Sequence, residues 1–454
     1  MSPAAEWKPS PFFFAIREAE AYQVYKEIAR RAPGEKPLIP PGHRFGVDDA
    51  IPLVVGAARG ATWERVAGRS LCDACLGRAF GKVGTGLTNR VRGRSIRDGV
   101  APPLVQGPCT VCDGIMDDLD RYASLAEASL LPWEFRTFLV GSRVDSEMAA
   151  REEALWAEIG AISPEPMKAE LNREIGKLLA AGLGREVDFH RPDIVALVDT
   201  AFDVVEVQVN PLFFYGRYRK LVRGIPQTRW PCRACRGKGC ERCGGLGKMY
   251  ATSVEEILAD AAMAQIGGTG HALHGMGRED VDARMLGRGR PFVLEIKEPR
   301  RRALDLAVVA ALVNASGDVE VEGLRPASGD EIPALKDDRA EKSYRTLVAL
   351  DGSVEDGKLL IALSTLVARP IAQRTPTRVS HRRADRERER RVRSCDVVRR
   401  DGPLLELVIR AEAGTYVKEL LHGDGGRTQP SLSGLLGVGC TVREIDVLDV
   451  HDTG

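Results

Sequence analysis

The 454-residue chain lacks several things that would have narrowed its function at once. It has no uninterrupted apolar run long enough to span a bilayer, so no transmembrane helix is expected. Its first stretch, MSPAAEWKPSPFFFAIREAEAY, lacks the basic start and long apolar core of a secretion signal, so a cytoplasmic protein is expected. No EF-hand, Walker or HExxH spacing occurs, which removes the commonest cation, nucleotide and zinc-hydrolase signatures. Its seven histidines are scattered, and none is assigned a role; His381 sits in a cationic run and suits a phosphate contact better than proton transfer. Net charge is almost absent as well, at +1.

What is present is unevenly distributed. Ten Lys/Arg and one acid lie between Arg217 and Lys248; twelve Arg and four acids lie between Arg369 and Arg400. Two cationic runs in a neutral chain suggest localised polyanion-binding surfaces, with solvated charged faces as the alternative. Eight of the ten cysteines form CxxC pairs, which without a secretion signal read as metal or redox sites before disulfides. Cys72 and Cys75 pair in style with Cys109 and Cys112, two turns able to aim four thiolates at one zinc ion. Cys232, Cys235, Cys240 and Cys243 lie within a basic, glycine-rich loop expected to be mobile. Four residues between those pairs is tight, so a metal knuckle and a set of free thiols both stay open, and the CxxCxGxG resemblance to chaperone zinc modules is kept in view.

Length alone predicts two or three domains. One helix is expected near Ala15–Arg31, followed by a Pro/Gly linker. A compact α/β module then runs to roughly Pro211, with strands at EFRTFLVGSRV, DIVALVD and VVEVQV. Its helices are DSEMAAREEALWAEIG, capped by Asp145, and PEPMKAELNREIGKLLAAGLG, with Met167, Leu171, Ile175, Leu178 and Leu179 on one face. The remainder reads as an α+β domain of roughly 240 residues with a large, mostly antiparallel sheet. It includes a helix opened by the capping box Ser253…Glu256 and a strand at PFVLEI behind a Gly-x-Gly-x-Pro turn.

The stretch GREDVDAR concentrates the chemistry. Glu279, Asp280 and Asp282 fall between Arg278 and Arg284. A divalent cation is disfavoured there, because Arg278, Arg284, Arg288 and Arg290 crowd the same loop. A set of surface ion pairs is the plain alternative. A lone catalytic carboxylate is the third: a nearby cation keeps it ionised, and flanking arginines suit a phosphodiester substrate. Residue chemistry alone leads to an RNA- or nucleotide-handling enzyme centred on an aspartate.

GRED followed by VDARMLGRGRPF resembles the catalytic loop of tRNA pseudouridine synthases, specifically the Pus-ten type. VNPLFFYGRYRKLVRGIPQTRWPCRACRGKGCERC, EKSYRTLVAL, IAQRTPTRVSHRRADRER and GTYVKELLHGDGGRTQP are similar to further stretches of that family, in the same order. The resemblance covers roughly residues 70–454. It implies an α+β fold: a pseudouridine synthase domain over 216–454, carrying a basic Cys-rich loop at 230–250, and a zinc-binding, THUMP-like accessory domain over 71–215, behind an extension of unknown role at 1–70. It also implies conversion of uridines 54 and 55 in the tRNA T-loop to pseudouridine. No cofactor takes part in that chemistry, and structural zinc is expected. Asp280 matches the nucleophile, Arg278 a residue holding the flipped nucleotide or its phosphate, Tyr344 and Tyr416 the substrate-contacting tyrosines, and Lys418 the cation paired with the aspartate. Glu279 and Asp282 are then expected to shape the loop and tolerate conservative change. The two cationic runs would grip tRNA phosphates. The expected partner is tRNA, with no membrane and no protein partner, as a monomer. A non-catalytic, zinc-containing tRNA-binding protein is the rival.

Overall fold

The computed structural model describes residues 47–452 apart from 85, 162 and 381–383. The helix expected over 15–31, its linker and His381 lie outside the described residues. No helix among the described residues is long and apolar enough to cross a membrane. The chain separates between Val209 and Asn210 into two compact units. A break at 215/216 would cut the strand Leu212–Lys220, whose alternating burial makes it a member of the second unit's sheet.

The first unit opens with helices α1 (Val47–Ala58), α2 (Asp73–Arg78), α3 (Asn89–Gly99) and α4 (Leu119–Leu130). Residues 47–70 are not a separate extension. Val54, Ala57, Ala58, Trp63 and Val66 join the core that holds the cysteine turns. Helices α2 and α3 meet backbone to backbone at Gly77 and Gly93: a Cβ on either would fall 1.8 Å from a carbonyl oxygen of the other helix. That close approach requires glycine. Next come β1 (Thr137–Arg143), α5 (Ser146–Ile159), α6 (Met167–Leu183), β2 (Glu186–Val187), β3 (Ile194–Asp199) and β4 (Val204–Val209). Their sheet runs β2-β1-β3-β4, with β1 parallel to both neighbours and β3–β4 an antiparallel pair. Asp145 caps α5 as expected, accepting from the Glu147 and Met148 N–H groups at 2.7 and 3.3 Å. Helix α6 buries Met167, Leu171, Ile175 and Leu179, whereas Leu178, at the margin of that stripe, is exposed.

A buried cation ties the cysteine-bearing helix to this module. The Arg78 guanidinium donates to Glu152 at 2.7 Å, to Glu170 at 2.9 Å and to the Cys75 sulfur at 3.0 Å. Burial pushes the Glu170 carboxyl up, and Arg78 works against that shift.

The second unit contains β5 (Leu212–Lys220), α7 (Val254–Ile266), β6 (Gly270–Gly275), β7 (Ala283–Lys297), α8 (Leu306–Asn314), β8 (Val319–Ala327), α9 (Glu331–Asp337) and β9 (Glu341–Leu350). It continues with α10 (Asp356–Ala368), β10 (Ile371–Arg374), β11 (Glu387–Arg390), β12 (Val392–Asp401), β13 (Leu404–Ala411), α11 (Val417–His422), β14 (Thr428–Gln429), α12 (Leu432–Leu436) and β15 (Cys440–His451). The large sheet runs β12-β13-β9-β15-β7-β5-β8, with β6 also on β7. Within this sheet only the β15–β7 pair is parallel among the described residues, so the sheet is mixed and mostly antiparallel, as expected. Residues 389–398 divide between two strands, β11 in a small sheet with β10 and β14, and β12 at the edge of the large one.

Two local expectations are corrected. Ser253 does cap α7, accepting from the Glu256 N–H at 3.2 Å. The Glu256 carboxylate, however, accepts from the Ser253 hydroxyl and from Lys248, at 2.8 and 2.6 Å, so the box is only half formed. The Gly-x-Gly-x-Pro sequence is a kink inside β7 rather than a turn. Gly287 and Gly289 have φ of +59° and +75°. A Cβ there would fall 1.9 Å from the Leu448 carbonyl oxygen and 2.8 Å from that of Tyr218. The β5–β7 register shifts at this point, pairing Tyr218 with Arg290 but Lys220 with Met285. The shift brings the end of β5 under the loop that precedes β7.

Removing Arg78 would leave two buried glutamates facing each other without a counter-charge. Arg78→Ala should therefore destabilise the first unit by about 3–5 kcal/mol, read as an early transition in urea unfolding. Adding Glu152→Gln and Glu170→Gln should recover part of the loss. A change below about 1 kcal/mol in the single variant would contradict the role of this cluster.

Candidate active site

The loop 277–282 is fixed from below before it presents anything above. Gly277 enters at φ +78°. Glu279 points into the protein: its carboxylate accepts from the Tyr218 hydroxyl at 2.9 Å and from Arg290 Nε at 2.9 Å. The Glu279 and Arg290 side chains are 0% and 1% exposed. Arg290 also donates to the Met276 carbonyl at 2.6 Å, and Gln227 bridges the Tyr218 hydroxyl and the Gly277 carbonyl at 2.8 and 3.0 Å. Beside this cluster, the buried Lys220 ammonium donates to the carbonyls of Ile225, Asp280 and Val281 at 2.9, 3.1 and 3.2 Å. Burial pushes that ammonium's pKa down. Glu279 is thus a buried anchor, not an interchangeable surface acid.

Above this support, Asp280 offers its carboxylate to the cleft, 37% exposed. Arg378 Nη1 lies 3.1 Å from Oδ1 and Lys418 Nζ 3.4 Å from Oδ2. Lys418 is closer to Asp282, at 2.7 and 2.8 Å, so it is shared between the two acids. For Asp282, burial opposes the charge and the Lys418 hydrogen bond outweighs it, leaving the carboxyl below its usual range. Arg378 is the nearer cation, and the sequence reading had not singled it out among twelve arginines. It is set by the buried Glu419, which accepts from its Nε at 2.7 Å.

Glu279 thus points away from Asp280 and Asp282, and the three loop acids form no metal-ligand set among the described residues. All five residues suggested for the site, Arg278, Asp280, Tyr344, Tyr416 and Lys418, line one cleft of about 520 Å³, together with Arg378. Tyr344 comes from the middle of the sheet. Burial pushes its phenol up to about 12, with Arg290 opposing and the Asp280 charge adding to the rise, so the hydroxyl stays protonated. Tyr416 sits at the start of α11, its backbone held in both directions by the Gln373 amide at 2.9 and 3.0 Å. The Arg278 guanidinium stacks over the Trp230 ring, 4.9 Å from its centroid.

Both cysteine sets come together. Within each, the four sulfurs lie within 4.8 Å of one another. Cys72–Cys112 is 3.7 Å; Cys232–Cys240 and Cys235–Cys243 are 3.9 Å, and Cys240–Cys243 is 3.7 Å. Metal–sulfur bonds of about 2.3 Å in a tetrahedron give edges of about 3.8 Å, so either donor set fits a four-thiolate ion. The stretch expected as a mobile loop is a folded knuckle. Backbone N–H groups of Gly239, Cys240 and Gly247 point at its sulfurs at 3.2, 3.3 and 3.2 Å. Its neck, a bridge between Pro231 and Lys248, fixes Trp230 at the cleft.

The cationic runs are less available than their composition suggests. In the first, Arg217, Arg219, Arg223 and Lys248 are paired with Asp452, Glu320, Glu444 and Glu256 at 2.6 to 2.9 Å. In the second, Arg374, Arg378, Arg393 and Arg400 have carboxylate partners.

The comparisons with known proteins agree with this division of the chain. The family profile for the archaeal Pus10 THUMP domain matches residues 122–199, and that for the Pus10 C-terminal domain matches residues 213–451. The first unit thus carries an accessory THUMP domain and the second a pseudouridine synthase-type domain. The chain belongs to the Pus10 family. A tRNA pseudouridine synthase Pus10 of Methanothrix thermoacetophila is 43% identical over 414 residues, covering 84% of this chain and 91% of the relative. That of Methanothermobacter marburgensis is 46% identical over 389 residues, covering 84% and 95%. Among solved structures, a chain of a Cbf5-Nop10-Gar1 complex matches at 18% identity over 44% of each chain, with a TM-score of 0.28.

The anchor under the loop separates its acids experimentally. Glu279→Gln should cost about 3–5 kcal/mol, because Arg290 is left buried and uncompensated. Asp282→Asn should cost less than about 1 kcal/mol, because the Asp282 side chain is itself exposed and Lys418 keeps Asp280 as a partner. Urea unfolding of the two variants checks this; equal effects would contradict the difference in burial.

Proposed function

We propose that this chain converts uridines 54 and 55 of the tRNA T-loop to pseudouridine, with Asp280 as nucleophile and no cofactor in the chemistry. The observation that carries the proposal is the Asp280 carboxylate, held at the cleft between Arg378 at 3.1 Å and Lys418 at 3.4 Å. The target nucleotide must leave its stack, which costs a few kcal/mol. Tyr344 and Tyr416 give the displaced uracil aromatic surfaces, and Arg278 a cation for the nucleotide or its phosphate. Asp280 attacks the ribose at C1′ as the N1–C1′ bond breaks. The detached uracil turns in the cleft, and a C5–C1′ bond forms as the aspartate leaves. C5 loses a proton and N1 gains one. Substrate and product hold the same atoms at the same oxidation level, so no external electron or group donor is required. Arg378 and Lys418 balance the carboxylate charge at the start and end of the cycle.

We further propose that both cysteine sets hold structural zinc. Each would supply four sulfurs to one ion and none to the reaction. The first set would fix α2, and with it Arg78; the second would fix the knuckle, and with it Trp230.

Chemical mapping of pseudouridine on an unmodified tRNA transcript tests the reaction. Wild-type protein should convert both T-loop positions, and Asp280→Asn should reduce the rate by at least roughly 10³-fold with tRNA binding retained. Persistent conversion by Asp280→Asn would remove the assignment. Elemental analysis of the purified chain should find two zinc ions, falling to one in Cys240→Ser/Cys243→Ser; unchanged metal content in that variant would count against the second site.

A further inference from the structure

One wall of the cleft carries three cations that the reaction above does not use. Lys336 lies at the end of α9, Arg339 just after it, and Lys342 near the start of β9, and all three line the cleft. Lys336 and Arg339 make no ion pair among the described residues. Lys342 is 8% exposed. Among the described residues its ammonium has a single hydrogen bond, to the Ala340 carbonyl at 2.8 Å, and no carboxylate partner.

Two acids, Asp338 and Asp452, act on Lys342 through their charge, and neither bonds to it. Asp338, which also lines the cleft, accepts from the Ala340 N–H at 2.7 Å. Asp452 is paired with Arg217 at 2.6 Å. Burial and the neighbouring Arg290 push the Lys342 ammonium down to about 8. An ammonium has three donors. A buried one with a single acceptor, on the wall of an open cleft, has donors left for an anion. Three of the other cations around the reacting carboxylate already have acids: Arg378 has Glu419, Arg290 has Glu279 and Lys418 has Asp282.

Position narrows the ligand. Lys342 and Tyr344 are two residues apart on β9, so they share a face of the strand. Tyr344 is the surface proposed for the displaced uracil. We infer that Lys342, with Arg339 and Lys336 at the rim, forms a seat for the phosphodiester adjoining the target nucleotide. This rests on the proposed RNA substrate and gives the α9–β9 wall a part in holding it. Lys342 in this role is a positioning residue: it holds the backbone while Asp280 meets the sugar.

The test uses full-length protein and tRNA transcript, with affinity measured across a range of KCl concentrations and conversion rates measured alongside. Lys342→Gln should weaken binding and raise KM by roughly tenfold, with kcat within about twofold. The slope of log Kd against log salt should become shallower by about 0.7 to 0.9 per lost phosphate contact. Lys342→Arg should restore both. A tRNA with one methylphosphonate linkage beside the target uridine should bind the wild type as weakly as normal tRNA binds Lys342→Gln, with no further loss when the two are combined. An unchanged salt slope in Lys342→Gln, or fully additive losses with the modified RNA, would overturn the seat. Should Lys342→Gln fail to fold, the exposed pair Lys336→Gln/Arg339→Gln gives the same reading: a shallower slope supports the seat and an unchanged one overturns it. A wild type that binds tRNA without forming pseudouridine would instead sink the proposed reaction, while the salt slopes would still decide the anion seat.

Discussion

The loop that presents Asp280 depends on a charge pair closed off from solvent. Glu279 and Arg290 are both enclosed, and Tyr218 completes the carboxylate's hydrogen bonds. Enclosing two charges costs several kcal/mol in desolvation, and their attraction offsets it only when the geometry is good and the remaining polar atoms are met. Here they are met: the guanidinium also reaches the Met276 carbonyl, and Gln227 ties Tyr218 to the Gly277 carbonyl. Stability alone does not call for such an arrangement, since an apolar cluster of the same volume would serve. What it does impose is direction. With Glu279 turned inward, the next side chain, Asp280, faces the cleft.

Lys220 fixes the same loop by another route. Its ammonium holds three backbone carbonyls, two of them in the loop. It reaches them because the kink at Gly287 and Gly289 lets β7 change register against β5. The glycines, the buried lysine and the buried ion pair thus act on one short segment from three sides. Above it the arrangement is opposite in kind. Asp280, Asp282, Arg378 and Lys418 are partly exposed, and Lys418 lies near both acids. Rigid backbone below and exchangeable ion pairs above suit the role proposed for Asp280, in which a cationic neighbour gives way to a substrate atom.

Much of this was legible in the sequence, and the exceptions have physical reasons. Elements with a clear period, such as β3, β4 and α6, stand where the pattern puts them, because one face of each packs against the core. Helices α2 and α3, between Cys72 and Cys109, were missed, because their packing relies on Gly77 and Gly93 rather than on an apolar stripe. The Asp280 loop and its tyrosines were legible through long motifs. Arg378 and Glu419 were not: their roles come from a contact between α11 and a segment forty residues earlier in the chain. Glu279 does shape the loop through an ion pair, with Arg290, but its burial was not legible: three acids within four residues look alike in sequence, whereas the folded loop turns this one inward.

Charge is where sequence and space diverge most. Counted along the chain, the 217–248 and 369–400 segments are the cationic surfaces. In three dimensions much of that charge is spent on remote acids: Arg217 on Asp452, Arg223 on Asp446 and Glu444, and Arg393 on Glu341 and Glu412. The segment ALKDDRAEKSY looks balanced in sequence. Yet Glu341 is taken by Arg393 and Arg410 and Asp337 is not in the cleft lining, so Lys336, Arg339 and Lys342 face the cleft with one acid, Asp338, among them. A polyanion responds to charge that remains uncompensated after folding, and its Coulomb energy falls off within about a Debye length, roughly 8 Å at physiological salt. Over that range the pairing of each cation outweighs its neighbours in sequence. The electrostatic part of recognition is therefore read from which acids are occupied, not from where arginines are dense.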